Sequence, residues 1–230
     1  TGVTETAYTI DKDGYATYEY KGFSFKVKAD VVKTDAAQKA VSRMKSDLDK
    51  IISFVPADVL KVMQKNPIWM EKHNEKNKSS AWYHRGAGSG LTYGGLAAKE
   101  KCVEITNYEW YVDWTGRNQP MMVFHELCHL YHDQGLGGSS NTTIMNAYLA
   151  ARNSGIYNEI WYRSDASYTT EDKWTKTKDA YCMNDDFEYF SEMCEAYWGE
   201  NDYYPFNYQQ LKDFDKNGYK MCVSIWGERF

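Results

Sequence analysis

Three residues near the middle of this chain have the types and spacing to do chemistry together. They are His125, Glu126 and His129, in the run His-Glu-Leu-Cys-His. On an α-helix, positions four apart lie one above the other, so the two imidazoles point the same way. Their ring nitrogens can share one tetrahedral zinc ion at about 2.0–2.1 Å. Glu126 cannot take a coordination position beside them, but it can reach a water there, where a general base is needed. The chemistry implied is hydrolysis by a zinc-activated water.

The motif needs a helix, and the flanking residues supply one over roughly 119–134. Met121, Met122, Phe124, Leu127, Cys128 and Leu130 give it apolar faces, Asn118 offers a cap and Pro120 suits a first turn. Gly135 is expected to end it as a left-handed residue. A catalytic zinc takes three protein ligands and keeps one position open, so a third ligand must come from elsewhere. His132 is seven residues beyond His125, about 10 Å along a straight helix, too far to share the ion. Asp133 meets the same obstacle. His132 is instead expected to be a cleft or surface residue.

The better source is a second helix, Asp185 to Trp198, which carries Glu188, Glu192 and Glu195. Glu188 and Glu192 are four apart on one face. Glu188 is the expected metal ligand, and Glu192 the carboxylate that accepts a hydrogen bond from a ligand histidine. Glu195 extends that network, and Glu192 is the alternative third ligand. Phe187, Phe190, Met193, Cys194 and Tyr197 crowd the same helix, so its carboxylates must be partly buried and need partners.

The order of these pieces, His125-Glu126-Leu-Cys-His129 followed by Tyr181 and then Glu188-Tyr-Phe-Ser-Glu192, resembles the anthrax-lethal-factor-like zinc peptidases, a branch of the gluzincins. The resemblance covers roughly residues 119–198. It implies zinc held by His125, His129 and Glu188, with Glu126 as the base and Glu192 behind the ligands. It also implies that Tyr181, seven residues before Glu188, helps at the transition state. The implied fold is an α+β zincin-like domain, a twisted mixed sheet and helices with a cleft between an upper and a lower lobe. The implied reaction is metallopeptidase cleavage of a peptide or protein substrate.

The elements that must position these residues are partly legible. Residues 8–28 alternate aromatic and polar groups around Asp13-Gly14 and Lys21-Gly22, which predicts a short antiparallel meander. Thr34-Asp35 opens a helix through Ala37, Val41, Met44, Leu48, Ile51 and Ile52, and Pro56 starts another. Ile68 to Met70, Ala81 to His84 and Cys102 to Thr106 have strand composition. Gly86 to Gly90 lacks the P-loop pattern and is expected to be a mobile loop. Gly137 to Ser140 is a breaker cluster, dividing one domain over 1–230 into an upper lobe, about 1–134, and a lower lobe, about 135–230. Asn141 to Arg152 predicts a helix. Residues 154–180 show only weak periodicity.

Composition excludes several other classes. A hydrophobic fraction of 43% is globular rather than disordered. A net charge of −5 argues against sequence-independent nucleic-acid binding. No apolar run approaches the 18 residues of a membrane span. The five cysteines lack C-x-x-C spacing, and their odd number leaves at least one thiol outside any internal disulfide. Asp213 to Gly218 begins like a calcium loop but has Ser224 where the bidentate Glu belongs, so a polar turn is expected. The chain begins at Thr1, as a trimmed product would, and a secreted monomer is the expectation. The rival function class is a non-catalytic peptide- or protein-binding module on a peptidase scaffold. A third reading is a zinc hydrolase of a non-peptide amide.

Overall fold

A computed structural model describes residues 7–229. The chain is α+β. Its first strands are β1 (Tyr8–Ile10), β2 (Tyr15–Tyr20) and β3 (Phe23–Lys28), which form the expected meander. Lys21 and Gly22 turn between β2 and β3 with φ of 49° and 88°, and Tyr20 pairs with Phe23. Two central residues at positive φ match the twist of the strands on either side. Alternation then buries Phe23, Phe25 and Val27 on one face.

Helix α1 (Asp35–Phe54) follows, with the Thr34 hydroxyl accepting from the Ala37 amide. Its apolar stripe packs on later helices, and one charged residue, Asp47, is buried with it. Asp47 is satisfied by the Tyr111 hydroxyl at 2.5 Å and by Arg43, one turn earlier, at 3.0 Å. Next come α2 (Ala57–Met63), β4 (Ile68–Met70) and β5 (Ala81–Tyr83). They are followed by one helical turn, α3 (Ser89–Thr92), β6 (Val103–Ile105) and α4 (Tyr108–Arg117). The sheet order is β1-β2-β3-β4-β6-β5, with β3, β4 and β6 parallel and β5 antiparallel to β6 at the edge.

The second half is mostly helical: α5 (Met122–Gly135), α6 (Thr142–Ser154), α7 (Asp186–Trp198), α8 (Tyr208–Phe214) and α9 (Lys216–Trp226). The stretch with weak periodicity contains a small antiparallel pair, β7 (Ile160–Tyr162) with β8 (Thr175–Thr177). One contiguous apolar core runs from Ala16 to Trp226. All five cysteines are buried free thiols. Asp215, in the calcium-like stretch, caps α9: it accepts from the Gly218 amide and from the hydroxyls of Tyr157 and Tyr189. No helix among the described residues is long and apolar enough to cross a membrane.

Several expected features shift. Asn118 ends α4 and donates to the Tyr162 hydroxyl at 3.4 Å, rather than capping α5, which starts after Met121. Gly135 is the last helical residue, not a left-handed one; Gly137 and Gly138, with φ of 84° and 60°, make the turn. Gly135 is needed for another reason: a Cβ there would collide with the Tyr131 ring. His132 is fully buried, stacked on Phe187 with ring centroids 4.0 Å apart, and faces the Gly138 carbonyl at 3.1 Å. Burial pushes its imidazole down to about 4, so it packs as a neutral ring and is neither cleft nor surface.

The glycine-rich run is exposed over Gly86 to Gly88 and enters α3 at Ser89, and a buried polar network flanks it. His84 and Glu104 are fully buried and 2.6 Å apart, and His84 Nδ1 faces the Ser89 hydroxyl at 3.2 Å. Lys99, also buried, bridges Glu71 at 2.6 Å, Glu104 at 3.1 Å and the Gly94 carbonyl at 2.8 Å. Asn74 ties Glu104 to the Tyr93 carbonyl. Every member is paired, which is what a charge in a dry interior requires. Removing Lys99 strands two carboxylates, so Lys99→Met is expected to cost about 3–5 kcal/mol in urea unfolding. Arg117→Ala, which breaks the exposed pair with Asp113, is expected to cost less than about 0.5 kcal/mol.

Candidate metal centre

Helices α5 and α7 build the site by packing antiparallel. His132 meets Phe187, His129 meets Glu188 and Ser191, and His125 meets Glu195. The spacing 188, 191, 192, 195 places one face of α7 against the motif. Apolar residues hold both helices in place: Val123, Phe124, Leu127, Cys128 and Leu130 on α5, and Tyr189, Phe190, Met193 and Cys194 on α7, are all buried. Asp185 starts α7 by accepting from the Glu188 amide at 2.8 Å, which sets the entry turn beside the motif.

Three donor atoms converge. Glu188 Oε2 lies 2.9 Å from His125 Nε2 and 3.3 Å from His129 Nε2, and the three groups lie within 4.8 Å of one another. Ligand atoms at the corners of a zinc tetrahedron with bonds of about 2.0–2.1 Å are roughly 3.3 Å apart. Two imidazoles and one carboxylate therefore fit a small divalent ion in both spacing and chemistry. The second nitrogen of each imidazole is also held. His125 Nδ1 lies 2.9 Å from Glu195 Oε2. His129 Nδ1 lies 3.0 Å from Ser191 Oγ, which in turn donates to the His125 carbonyl. These contacts orient both rings with Nε2 toward the shared point.

The carboxylate behind His125 is thus Glu195, where Glu192 was expected. Glu192 is 3.9 Å from His125 Nδ1 and accepts instead from the Asn201 amide at 2.8 Å. Antiparallel packing is the cause: the turn of α7 beside His125 is the later one, two turns past Glu188. Ser191 was not anticipated, although its position three residues after Glu188 carried the signal.

The electrostatics follow from burial. Burial opposes the charge on His125, but Glu195 and Glu188 outweigh it and hold the imidazole well above its usual range. Burial likewise works against the Glu188 carboxylate, and the two imidazoles overcome it, holding it well below the usual range. Burial pushes Glu195 up to about 7, and pushes Glu192 well above the usual carboxylate range. A divalent cation held at this point would favour the ionised carboxylates and the neutral imidazoles, opposing the shifts that burial and the His–Glu contacts impose.

Glu126 and Tyr181 both line the cleft at this centre. Burial pushes the Glu126 carboxyl up, as suits a base that must both take and return a proton. The Tyr181 hydroxyl reaches Glu188 Oε1 at 3.3 Å. Loss of water around it, together with the Glu188 charge, raises its pKa, so it remains a proton donor at neutral pH. Both residues line two adjoining cavities, of about 520 and 300 Å³. The larger limb passes His129 between Trp82, Arg85, Tyr93 and Phe187. The smaller passes His125 between Trp114, Tyr162, Tyr203 and Asp202. Edge strand β5 lies along the cleft, with Ala81 lining both limbs.

Comparison of the chain with protein-family models, with curated proteins and with solved structures gives no match. The chemistry of the site rests on its own geometry.

That geometry predicts the outcome of a zinc titration after chelation. One tight site is expected, and it should be lost in His125→Ala, His129→Ala and Glu188→Ala. Glu195→Ala is expected to weaken it about 10- to 100-fold, since that change frees the ring of a ligand histidine. Glu192→Ala should weaken it less; the reverse order would restore Glu192 to the role behind His125.

Proposed function

We propose that this chain is a zinc-dependent metallopeptidase on a zincin-like α+β scaffold. The observation that carries the reading is the convergence of His125 Nε2, His129 Nε2 and Glu188 Oε2, with Glu126 at the junction of two cleft limbs. His125, His129 and Glu188 would hold the ion. When bound, zinc polarises the scissile carbonyl and lowers the pKa of a water toward about 7.

The remaining steps belong to the protein's own groups. Glu126 accepts a proton from the attacking water and delivers it to the leaving amine. Tyr181 donates a hydrogen bond to the oxygen on which charge develops. Glu195 and Ser191 keep the imidazoles from turning as that charge builds. The two limbs accommodate chain on both sides of the cleaved bond. The outer edge of β5 offers the Ala81 and Tyr83 amides to an extended peptide, their carbonyls already accepting from Ser79 and Arg85, which favours a peptide over a small non-peptide amide.

A non-catalytic binding module needs the cleft but not a buried carboxyl beside the metal ligands, so the position of Glu126 favours catalysis. Casein hydrolysis with and without a chelator separates the two classes: loss of cleavage on chelation and its return with zinc are expected. Glu126→Gln is expected to keep one zinc while hydrolysis falls by at least about 10³-fold; full activity in that variant would overturn the mechanism. Tyr181→Phe is expected to lower kcat by roughly 10²–10³ with little change in KM, as for removal of a single oxyanion donor.

A further inference from the structure

Arg85 has no role in the centre described above, yet it faces the same cleft. It follows buried His84 on the segment leaving β5, and its backbone is tied on both sides. Its amide donates to the Tyr83 carbonyl at 2.9 Å, and its carbonyl accepts from Lys101 Nζ at 2.6 Å. The side chain lines the larger limb together with Glu126, His129 and Glu188. Its guanidinium lies over the Phe187 ring, 3.9 Å from the centroid. Phe187 is itself fixed, since it is buried and its ring stacks on His132. Arg85 is exposed, and its guanidinium rests on a buried ring that precedes Glu188 in the chain.

Among the described residues, no carboxylate lies within ion-pair distance of that guanidinium. The acids nearby are committed elsewhere. Asp185 caps α7, and Asp133 takes Lys101 at 2.8 Å and the Tyr83 hydroxyl at 2.7 Å. Glu188 is occupied by the two imidazoles. Stacking uses the face of a guanidinium and leaves its in-plane N–H donors free. Those donors match a carboxylate in a two-pronged geometry, and loss of freedom has already been spent in the stack.

We propose that Arg85 is a specificity determinant that binds a carboxylate of the substrate in the larger limb, either an Asp or Glu side chain or the free end of the peptide. This rests on the peptidase reading. An acidic group placed there gains charge-assisted hydrogen bonds that its neutral amide counterpart lacks, which is worth roughly 10- to 100-fold in kcat/KM.

The test uses internally quenched peptides randomised around the cleaved bond. Matched sets carry Glu, Gln or Lys at one position at a time, each with a free and with an amidated C-terminus. Zinc-loaded wild type is expected to prefer Glu over Gln by about 10- to 100-fold at one position, or the free over the amidated end by a similar factor. The first result assigns the carboxylate to a side chain, the second to the chain terminus. Arg85→Ala should bring the preferred set down to the level of its neutral counterpart, and Arg85→Glu should shift preference toward Lys. The wild-type comparison needs no variant, so it stands whether or not the variants fold. Cleavage of all sets at equal kcat/KM would overturn the role of Arg85 and leave the peptidase intact. No cleavage of any peptide by zinc-loaded protein would overturn both.

Discussion

The contact on which this structure depends is the antiparallel packing of α5 against α7. It is made by apolar side chains, but its consequence is polar: it carries three glutamates into the interior, where each needs a partner. Glu188 and Glu195 find theirs on His125, one on each ring nitrogen, and Glu192 finds Asn201. Ser191, from the same face, holds His129 and the His125 carbonyl. The hydrophobic effect sets the distance between the helices, and the buried carboxylates then leave the imidazoles little freedom to turn. Donors held in this way need little reorganisation to receive an ion, the arrangement on which the proposed chemistry draws.

Much of this was legible in the sequence, and the failures are instructive. The motif helix announces itself by its apolar period and the carboxylate helix by its period and Asp185; spacing puts Glu188 and Glu192 on one face, and the resemblance singles out Glu188. What spacing on one helix cannot supply is the direction of the other. Glu192 and Glu195 both share a face with Glu188 to within a fraction of a turn, and only the antiparallel arrangement decides that Glu195 stands beside His125. His132 was misplaced for a related reason. Polarity suggests exposure, yet the ring is buried against Phe187 with Nε2 facing the Gly138 carbonyl and Nδ1 without a partner.

Short elements were harder still. The pair β7–β8 spans three residues on each strand, too few for a period to emerge against the aromatic background of 154–180. Asn118, Gly135 and Gly137 all carry generic boundary signals, and which one acts depends on the side chains packed around it. Asn118 was diverted by Tyr162, forty-four residues away, and Gly135 by the ring of Tyr131.

The glycine-rich run shows how the cleft wall is held without a large apolar anchor. Sequence suggested flexibility because glycine widens the backbone choices of the free chain. The fold flanks the run with a charge network: His84, Lys99, Glu71 and Glu104 on the buried side, with Ser89 and Gly94 tied to them and Tyr93 tied through Asn74. Such a network contributes less net stability than an apolar filling of equal volume, because each charge has been taken out of water. It has a directional advantage that apolar contacts lack. A hydrogen-bonded Glu104 on the strand next to β5 fixes where His84 sits, and so fixes the backbone of Arg85 one residue later. The larger limb of the cleft thus takes its shape from polar contacts beneath the same strand, while His125, His129 and Glu188 take their positions from an apolar helix pair. The two walls of the cleft are set by different forces, polar beneath β5 and apolar between α5 and α7.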